Sequence, residues 1–436
     1  MPVSLAPWLI PEEQQTVIER LIHYGLIDWD NNRNFNLKSG GTTDIYVNLR
    51  NVRNNPKDVA FISRVFANPL FRLNPDRFVE VPDAVTPYSS RIAEYLNIPY
   101  LTVRKEAKAG RVSDAKIIGQ CKKGDRVCIY DDVITDGASK VGPYQECLAR
   151  DLKILPLVVL VDRQQGWKKK FVELGINMDI WPGMTLHDIR RFLIENGYME
   201  RCDEVLEANN PMIIGLDKAG WEDHLPLIDR VRTTGCILKV NDLLWNEGIK
   251  NLIPNLQVYG RVMADIKGHD IPNTLKNISS HFLSYPPWAV TVHGSGGKEM
   301  IEAVVKAFKG TPTKVLVVTL LTSIDPRTCE EIYARQSLDE VRALARIAKR
   351  AGAHGFVCSV EETEDLRKAY PEMLIVNPAI RSADKSVAGD DQSRKGTPEG
   401  AIALGANHIV MGRQVTQSEN PAAEVLRVLK EELRVY

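Results

Sequence analysis

Residues 264–274 read ADIKGHDIPNT, with three charges placed within six positions behind an apolar run. Side chains on a strand alternate between its two faces, so Asp265 and Lys267 point the same way. Asp270 follows on the loop, and Lys239 closes a similar run, CILKVN at 236–241. Two lysines and two carboxylates brought together at strand ends form either a structural salt-bridge network or a reactive array. Buried ion pairs are poor stabilisers, because desolvation offsets their attraction. A carboxylate flanked by lysines stays ionised. It can press against an anionic group on a substrate and destabilise it relative to a product that has lost that group. The adjacent lysine can protonate the carbanion that forms. Together these suit decarboxylation without a cofactor.

Such an array needs neighbouring strands that end on one side. The second half of the chain has eight short apolar runs: 212–217, 236–241, 261–267, 289–294, 314–320, 355–359, 373–378 and 408–412. Helical patterns lie between most of them. In residues 337–352, Leu338, Val341, Leu344 and Ile347 recur at three-residue steps, which predicts one apolar helix face. Eight strand–helix units in about 230 residues predict a (β/α)8 barrel, with an open doubly wound sheet as the alternative. Asp217, Lys239, Asp265, Lys267, His293 and Ser323 all fall at the C-terminal ends of strands, the face that carries chemistry in such barrels. The first half also alternates strand and helix. Its strands are predicted at 99–105, 127–132 and 155–163, and a helix at 184–199. The whole is therefore α/β, with one domain over 1–205 and a second over 206–436.

Composition excludes several classes. The 436 residues carry 56 basic and 56 acidic side chains, which speaks against a nucleic-acid footprint. Seven scattered cysteines, at 121, 128, 147, 202, 236, 329 and 358, have no metal-ligand spacing. We read them as reduced thiols in a cytoplasmic protein, Cys128 and Cys358 being small core residues. The N-terminal MPVSLAPWLIPEEQQ lacks a signal-peptide pattern, and no apolar stretch reaches the ~18 residues of a membrane span.

The segment 265–274 resembles the D-x-K-x-x-D-I-P-N-T signature of the orotidine 5′-monophosphate (OMP) decarboxylase family. IIGLDKAG, ILKVND, VVTLLTS, NPAIRSADKSVAGDDQSRKGTP and GANHIVMGRQV follow the family's order over nearly all of 211–436. The resemblance implies a TIM barrel in which Lys267 protonates C6, Asp265 faces the departing carboxylate, and Lys239 and Asp270 complete the array. It implies ribose contacts from Asp217 and Lys239, and a pyrimidine contact from Ser323. Thr274 and Pro378 join the nucleotide site, and Gln392, Gly412 and Arg413 grip the phosphate. Asp270 and Thr274 would come from the partner protomer, so a homodimer with shared sites is implied. The polar segment 381–396 is expected to be a lid. His293 is expected to pack or hydrogen-bond near its strand end, and His269 to act as a spacer.

In the first half, VCIYDDVITDGAS (127–139) is a strand, two acids and a small-residue loop before a helix. Backbone amides of Thr135, Asp136, Gly137, Ala138 and Ser139 could cradle a phosphate, and Asp131 and Asp132 could reach ribose hydroxyls. The run resembles the phosphoribosyl pyrophosphate (PRPP) motif of type I phosphoribosyltransferases. FNLKSGGTTDIYVNLR with Lys38, VRKEAK with Arg104, Lys105 and Lys108, and VLVDRQQG resemble orotate phosphoribosyltransferases in particular. The resemblance implies that these cations bind PRPP and orotate, that Lys108 is catalytic, and that Mg²⁺ sits mainly on PRPP oxygens. Two stretches depart from that family: AGRVSDAKIIG after Lys108, and EVPDAVTPYSSRIA at 80–93. In order, the halves resemble bifunctional uridine 5′-monophosphate (UMP) synthases, with orotate, PRPP and OMP as small-molecule substrates. The alternative is a decarboxylase carrying a degenerate, non-catalytic transferase-like domain.

Overall fold

The computed structural model describes residues 2–30, 35–36, 42–104, 116–202, 204–217, 220–383 and 396–435. Lys38, Lys105, Lys108, Gln392 and most of the expected lid lie outside the described residues. The chain divides into two compact units, Met1–Glu200 and Arg201–Tyr436.

The first unit is built on a seven-stranded sheet. Its path runs Ile180–Thr185, Leu157–Asp162, Arg126–Ile134, Arg77–Glu80, Tyr100–Val103, Ile117–Ile118, and Lys153–Ile154 pairs beside Arg126–Ile134. All pairings are parallel except the last on the path. Every residue of Leu157–Asp162 is buried, as a strand covered on both faces requires. The side-chain alternation sorts into two cores. Cys128, Tyr130, Val158 and Leu160 belong to one, and Val127, Ile129, Leu157 and Val159 to the other. The predicted helix near 190 spans Leu186–Glu195. It starts where the Thr185 hydroxyl accepts the Asp188 N–H, while the Asp188 carboxylate accepts the Thr185 N–H.

This helix is tied to the N-terminal strands by charge. Arg190 Nη2 donates to Asp44 Oδ1 at 2.6 Å, and both side chains are buried. Arg163 adds bonds to the Ile45 carbonyl at 3.2 Å and the Thr43 hydroxyl at 2.9 Å.

The second unit is the expected closed barrel of eight parallel strands. They are β1 (Met212–Leu216), β2 (Ile237–Val240), β3 (Val262–Gly268), β4 (Ala289–His293), β5 (Lys314–Val318), β6 (Gly355–Val357), β7 (Leu374–Asn377) and β8 (His408–Met411). One face of each strand packs on the surrounding helices, through residues such as Ile214, Leu238, Val262 and Val290. Residues of opposite parity, including Ile213, Ile237, Met263, Ala289, Val376 and Val410, form a separate core inside the barrel. One helix differs from expectation. Ser337–Arg350 buries Val341, Leu344, Ala345 and Ala348, while Leu338 is 37% exposed. Steps of three fall behind the 3.6-residue turn, so three of them in a row drift around the helix, whereas alternating steps of three and four stay on one face.

Removing one partner of a buried ion pair leaves an uncompensated charge. In chemical denaturation, Asp44→Ala is expected to destabilise the first unit by about 3–5 kcal/mol. A loss under about 1 kcal/mol would show that the pair does not secure these strands.

Candidate active site

Within the barrel, the inward-facing columns of β1 to β4 change character toward their C-terminal ends. Ile213 is followed by Gly215 and Asp217, Ile237 by Lys239, Met263 by Asp265 and Lys267, and Ala289 by Thr291 and His293. The barrel floor is therefore apolar and its mouth charged. Gly215 and Lys239 are register partners on β1 and β2, and so are Lys239 and Met263 on β2 and β3. Gly215 lacks a side chain where Lys239 crosses it: a Cβ there would lie 3.5 Å from Lys239 Cε and 3.1 Å from Asp217 Oδ2.

The charges converge on Asp265. Lys267 Nζ lies 2.6 Å from Asp265 Oδ2, and Lys239 Nζ lies 3.4 Å from the same oxygen. Lys239 Nζ is also 3.4 Å from Asp217 Oδ1. The other carboxylate oxygen, Oδ1, accepts the Thr291 hydroxyl at 2.8 Å, and Thr291 Oγ1 accepts the Lys267 backbone N–H at 2.9 Å. Lys267 has φ of +45°, a conformation that costs energy for a residue with a side chain. It lies within a register shift on β3 between Ala264 and Gly268.

Burial alone would raise the Asp265 pKa. The charges of Lys239 and Lys267, with hydrogen bonds from Lys267 and Thr291, outweigh it and hold the group below its ordinary 3.8. Burial likewise opposes the charge on Lys239, but Asp265 and Asp217 lift its pKa above 10.5. Lys239 and Asp265 thus stay charged at neutral pH.

A cavity of about 840 Å³ opens at this end of the barrel. Asp217, Lys239, Asp265, Lys267, Ser323, Pro378, Gly412 and Arg413 all line it, so eight residues singled out from separate motifs meet in one space. Asp270 and Thr274 do not line it. Asp270 is exposed, and its Oδ1 accepts the Ile271 N–H at 2.7 Å. The array within one chain is therefore Asp217, Lys239, Asp265 and Lys267. Residues 269–273 have left β3 and point outward as exposed side chains, which is why Asp270 is absent from it.

His293 and His269 stand edge to face, 5.7 Å between ring centres, and neither lines the cavity. Burial, then the nearby His269 and Lys267, lowers the His293 pKa. Sequence reasoning missed Thr291 and Asn241. Thr291 lies two positions before His293 on β4, so period-two alternation was the available signal, while Asn241 lines the cavity just beyond the end of β2.

In the first unit, Asp131 and Asp132 lie inside the strand Arg126–Ile134 and are buried. Asp131 meets Lys140 of the helix Ala138–Leu148, with Nζ 2.6 Å from Oδ2. Lys140 Nζ also donates to the Val133 carbonyl at 2.8 Å and the Ser139 hydroxyl at 2.9 Å. Burial, and then the Asp131 charge, push the Asp132 carboxyl up to about 7. Thr135 and Asp136 are half-buried, Gly137 is buried, and Ala138 and Ser139 are exposed. Gly137 takes φ of +77° against the Phe171 ring, which a Cβ would meet at 2.5 Å. Arg104 donates its N–H to the Lys116 carbonyl at 2.8 Å. Among the described residues no group of three or more His, Cys, Asp or Glu is arranged to hold a metal ion.

A depressed carboxylate pKa contributes stability that is complete above the unfolded value of about 3.9 and lost as pH falls through the folded value. The stability gap between the chain and its Asp265→Asn variant should therefore hold level from about pH 5 to 9 and narrow below about pH 4. Denaturation curves across that range measure it. A gap that does not change with pH would show that Asp265 is not held by charge.

The sequence model of the orotidine 5′-phosphate decarboxylase / HUMPS family matches residues 210–428. The orotidine 5′-phosphate decarboxylase of Chromobacterium violaceum is 34% identical over 234 residues, covering 52% of this chain and 94% of that protein. Its counterpart from Neisseria meningitidis serogroup C is 36% identical over 234 residues, covering 52% and 93%. Among solved structures, the decarboxylase of Lactobacillus acidophilus is similar at 30% identity and a TM-score of 0.45, covering 51% of this chain and 98% of that one. Through its C-terminal barrel and the charged mouth built there, the chain belongs to the orotidine 5′-phosphate decarboxylase / HUMPS family.

Proposed function

We propose that the barrel converts OMP to UMP and CO2 without a cofactor, and that the first unit makes OMP from orotate and PRPP, releasing pyrophosphate. The observation that carries the decarboxylase reading is the ionised Asp265 between Lys239 and Lys267 at the cavity wall. The substrate carboxylate would face Asp265 and be destabilised by its charge. The C6–carboxylate bond breaks, the electron pair stays on C6, and the Lys267 ammonium delivers the proton that replaces CO2. Asp217 and Lys239 would bind the ribose hydroxyls, and Ser323 the pyrimidine, with Pro378 beside it. Gly412 and Arg413, after β8, would hold the phosphate, the usual place for one in such barrels.

Asp270 and Thr274 are proposed to complete the site of a second copy. Their position outside this chain's own cavity and the exposure of Ile271, at 65%, support a homodimer with shared sites.

The transferase reading rests on the first unit's strand, acid pair and Gly137 turn into the helix Ala138–Leu148. Lys38, Arg104, Lys105 and Lys108 would meet the pyrophosphate and orotate. Magnesium would arrive on the oxygens of PRPP, which suits an ion that keeps phosphate and water ligands. A second reading is favoured by one observation: Asp131 already has a buried ammonium partner in Lys140. On that reading the unit is degenerate, and the protein is a decarboxylase alone.

Purified protein is to be given orotate, PRPP and Mg²⁺, with OMP alone in parallel, following orotate loss and UMP formation. Turnover of both supports a bifunctional UMP synthase. Turnover of OMP alone selects the second reading, and no turnover of OMP sinks the decarboxylase assignment. Lys267→Ala should reduce OMP decarboxylation by about 10³-fold or more, since it removes the proton donor. A normal rate in that variant would exclude Lys267 from the role. Thr291→Val should lower kcat by about tenfold or more, with Thr291→Ser recovering most of it.

A further inference from the structure

We infer that Ser382, Gln414 and Arg427 act as one clamp that positions the phosphate-gripping end of the barrel site, and that they are positioning residues felt only by a phosphorylated substrate. The inference rests on the decarboxylase reading above. Gln414 follows Arg413 after β8, and Ser382 follows Arg381 after β7. The Gln414 side chain spans the two segments: its Oε1 accepts the Ser382 backbone N–H at 2.9 Å, and its Nε2 donates to Ser382 Oγ at 2.7 Å. Nε2 also donates to Glu424 Oε1 at 2.8 Å.

Ser382 is 2% exposed, and its hydroxyl is the hub. It accepts from Arg427 Nη2 at 3.0 Å as well as from Gln414, and donates to Glu432 Oε1 at 2.5 Å. Arg427 in turn pairs with Glu424 at 2.8 Å and Glu432 at 2.9 Å. The ends of β7 and β8 are thereby stitched to the helix Pro421–Arg427 and the turn Val428–Glu432 that follows.

Two features separate this from general packing. The clamp borders the cavity: Arg381, Gly412, Arg413 and Gln414 line it, while Ser382 and Arg427 stand behind them. It also carries two carboxylates against one guanidinium, so it cannot itself attract a phosphate and must act through the segments it fixes. The ring order places β7 and β8 three or four strands from β3 and β4, which carry Asp265, Lys267 and Thr291. A fault in the clamp should therefore disturb the grip on phosphate and leave the reacting carboxylate's surroundings alone.

The test compares OMP with orotidine, the same nucleoside without its phosphate, in full-length Ser382→Ala and Arg427→Gln. The quantity read is the ratio of kcat/KM for OMP to kcat/KM for orotidine on one preparation. The amount of folded enzyme cancels in that ratio, so a partly unfolded variant still reports. Both variants are expected to lower the ratio by about tenfold, the size of one or two lost charge-assisted hydrogen bonds. An unchanged ratio, whether both substrates suffer or neither does, overturns the inference. A fall in one variant alone overturns the clamp as a unit. Wild-type turnover of OMP reports separately on the reading beneath it.

Discussion

The barrel's mouth is organised around the burial of one carboxylate. Asp265 is 6% exposed, and a charge in that position is costly unless it is paired and hydrogen-bonded. Lys267, Lys239 and Thr291 meet that demand, and each comes from a different place: the same strand, the strand before and the strand after. Adjacent parallel strands that all end on one side deliver these groups to one point. Asp217, from the strand before Lys239, then steadies the second lysine.

The arrangement is paid for locally. Lys267 is held in a left-handed backbone conformation, and its N–H is tied to the hydroxyl that also holds Asp265. The apolar floor beneath, from Ile213 to Val410, supplies the packing that tolerates such strain above it. Because the dipoles and charges are fixed before any ligand arrives, they act without reorganisation, the condition for strong electrostatic catalysis.

The first unit solves a similar problem differently. It also buries acids at the C-terminal end of a central parallel strand. Here the two acids are consecutive, and their carboxyls stay close enough to interact. Asp131 has Lys140 as an internal counter-ion, while Asp132, next to the Asp131 charge, is pushed toward neutrality.

Much of this was legible in residue order. The eight apolar runs marked the barrel strands, because strands buried on both faces must be continuously apolar. The spacing of Asp265 and Lys267 placed them on one face, because side chains alternate strictly along a strand. Linear sequence could not say which residues meet within one chain. Asp270 sits in the same short motif as Asp265 yet faces outward, while Asp217, distant in sequence, is within reach of Lys239. Nor could it reveal the Lys140–Asp131 pair or the service of Thr291, an ordinary strand residue by type. The sequence by itself determined the elements and their faces, which depend on local period and polarity. Tertiary structure decided the partners, because ion pairs depend on distances of a few ångströms set only when the sheets close.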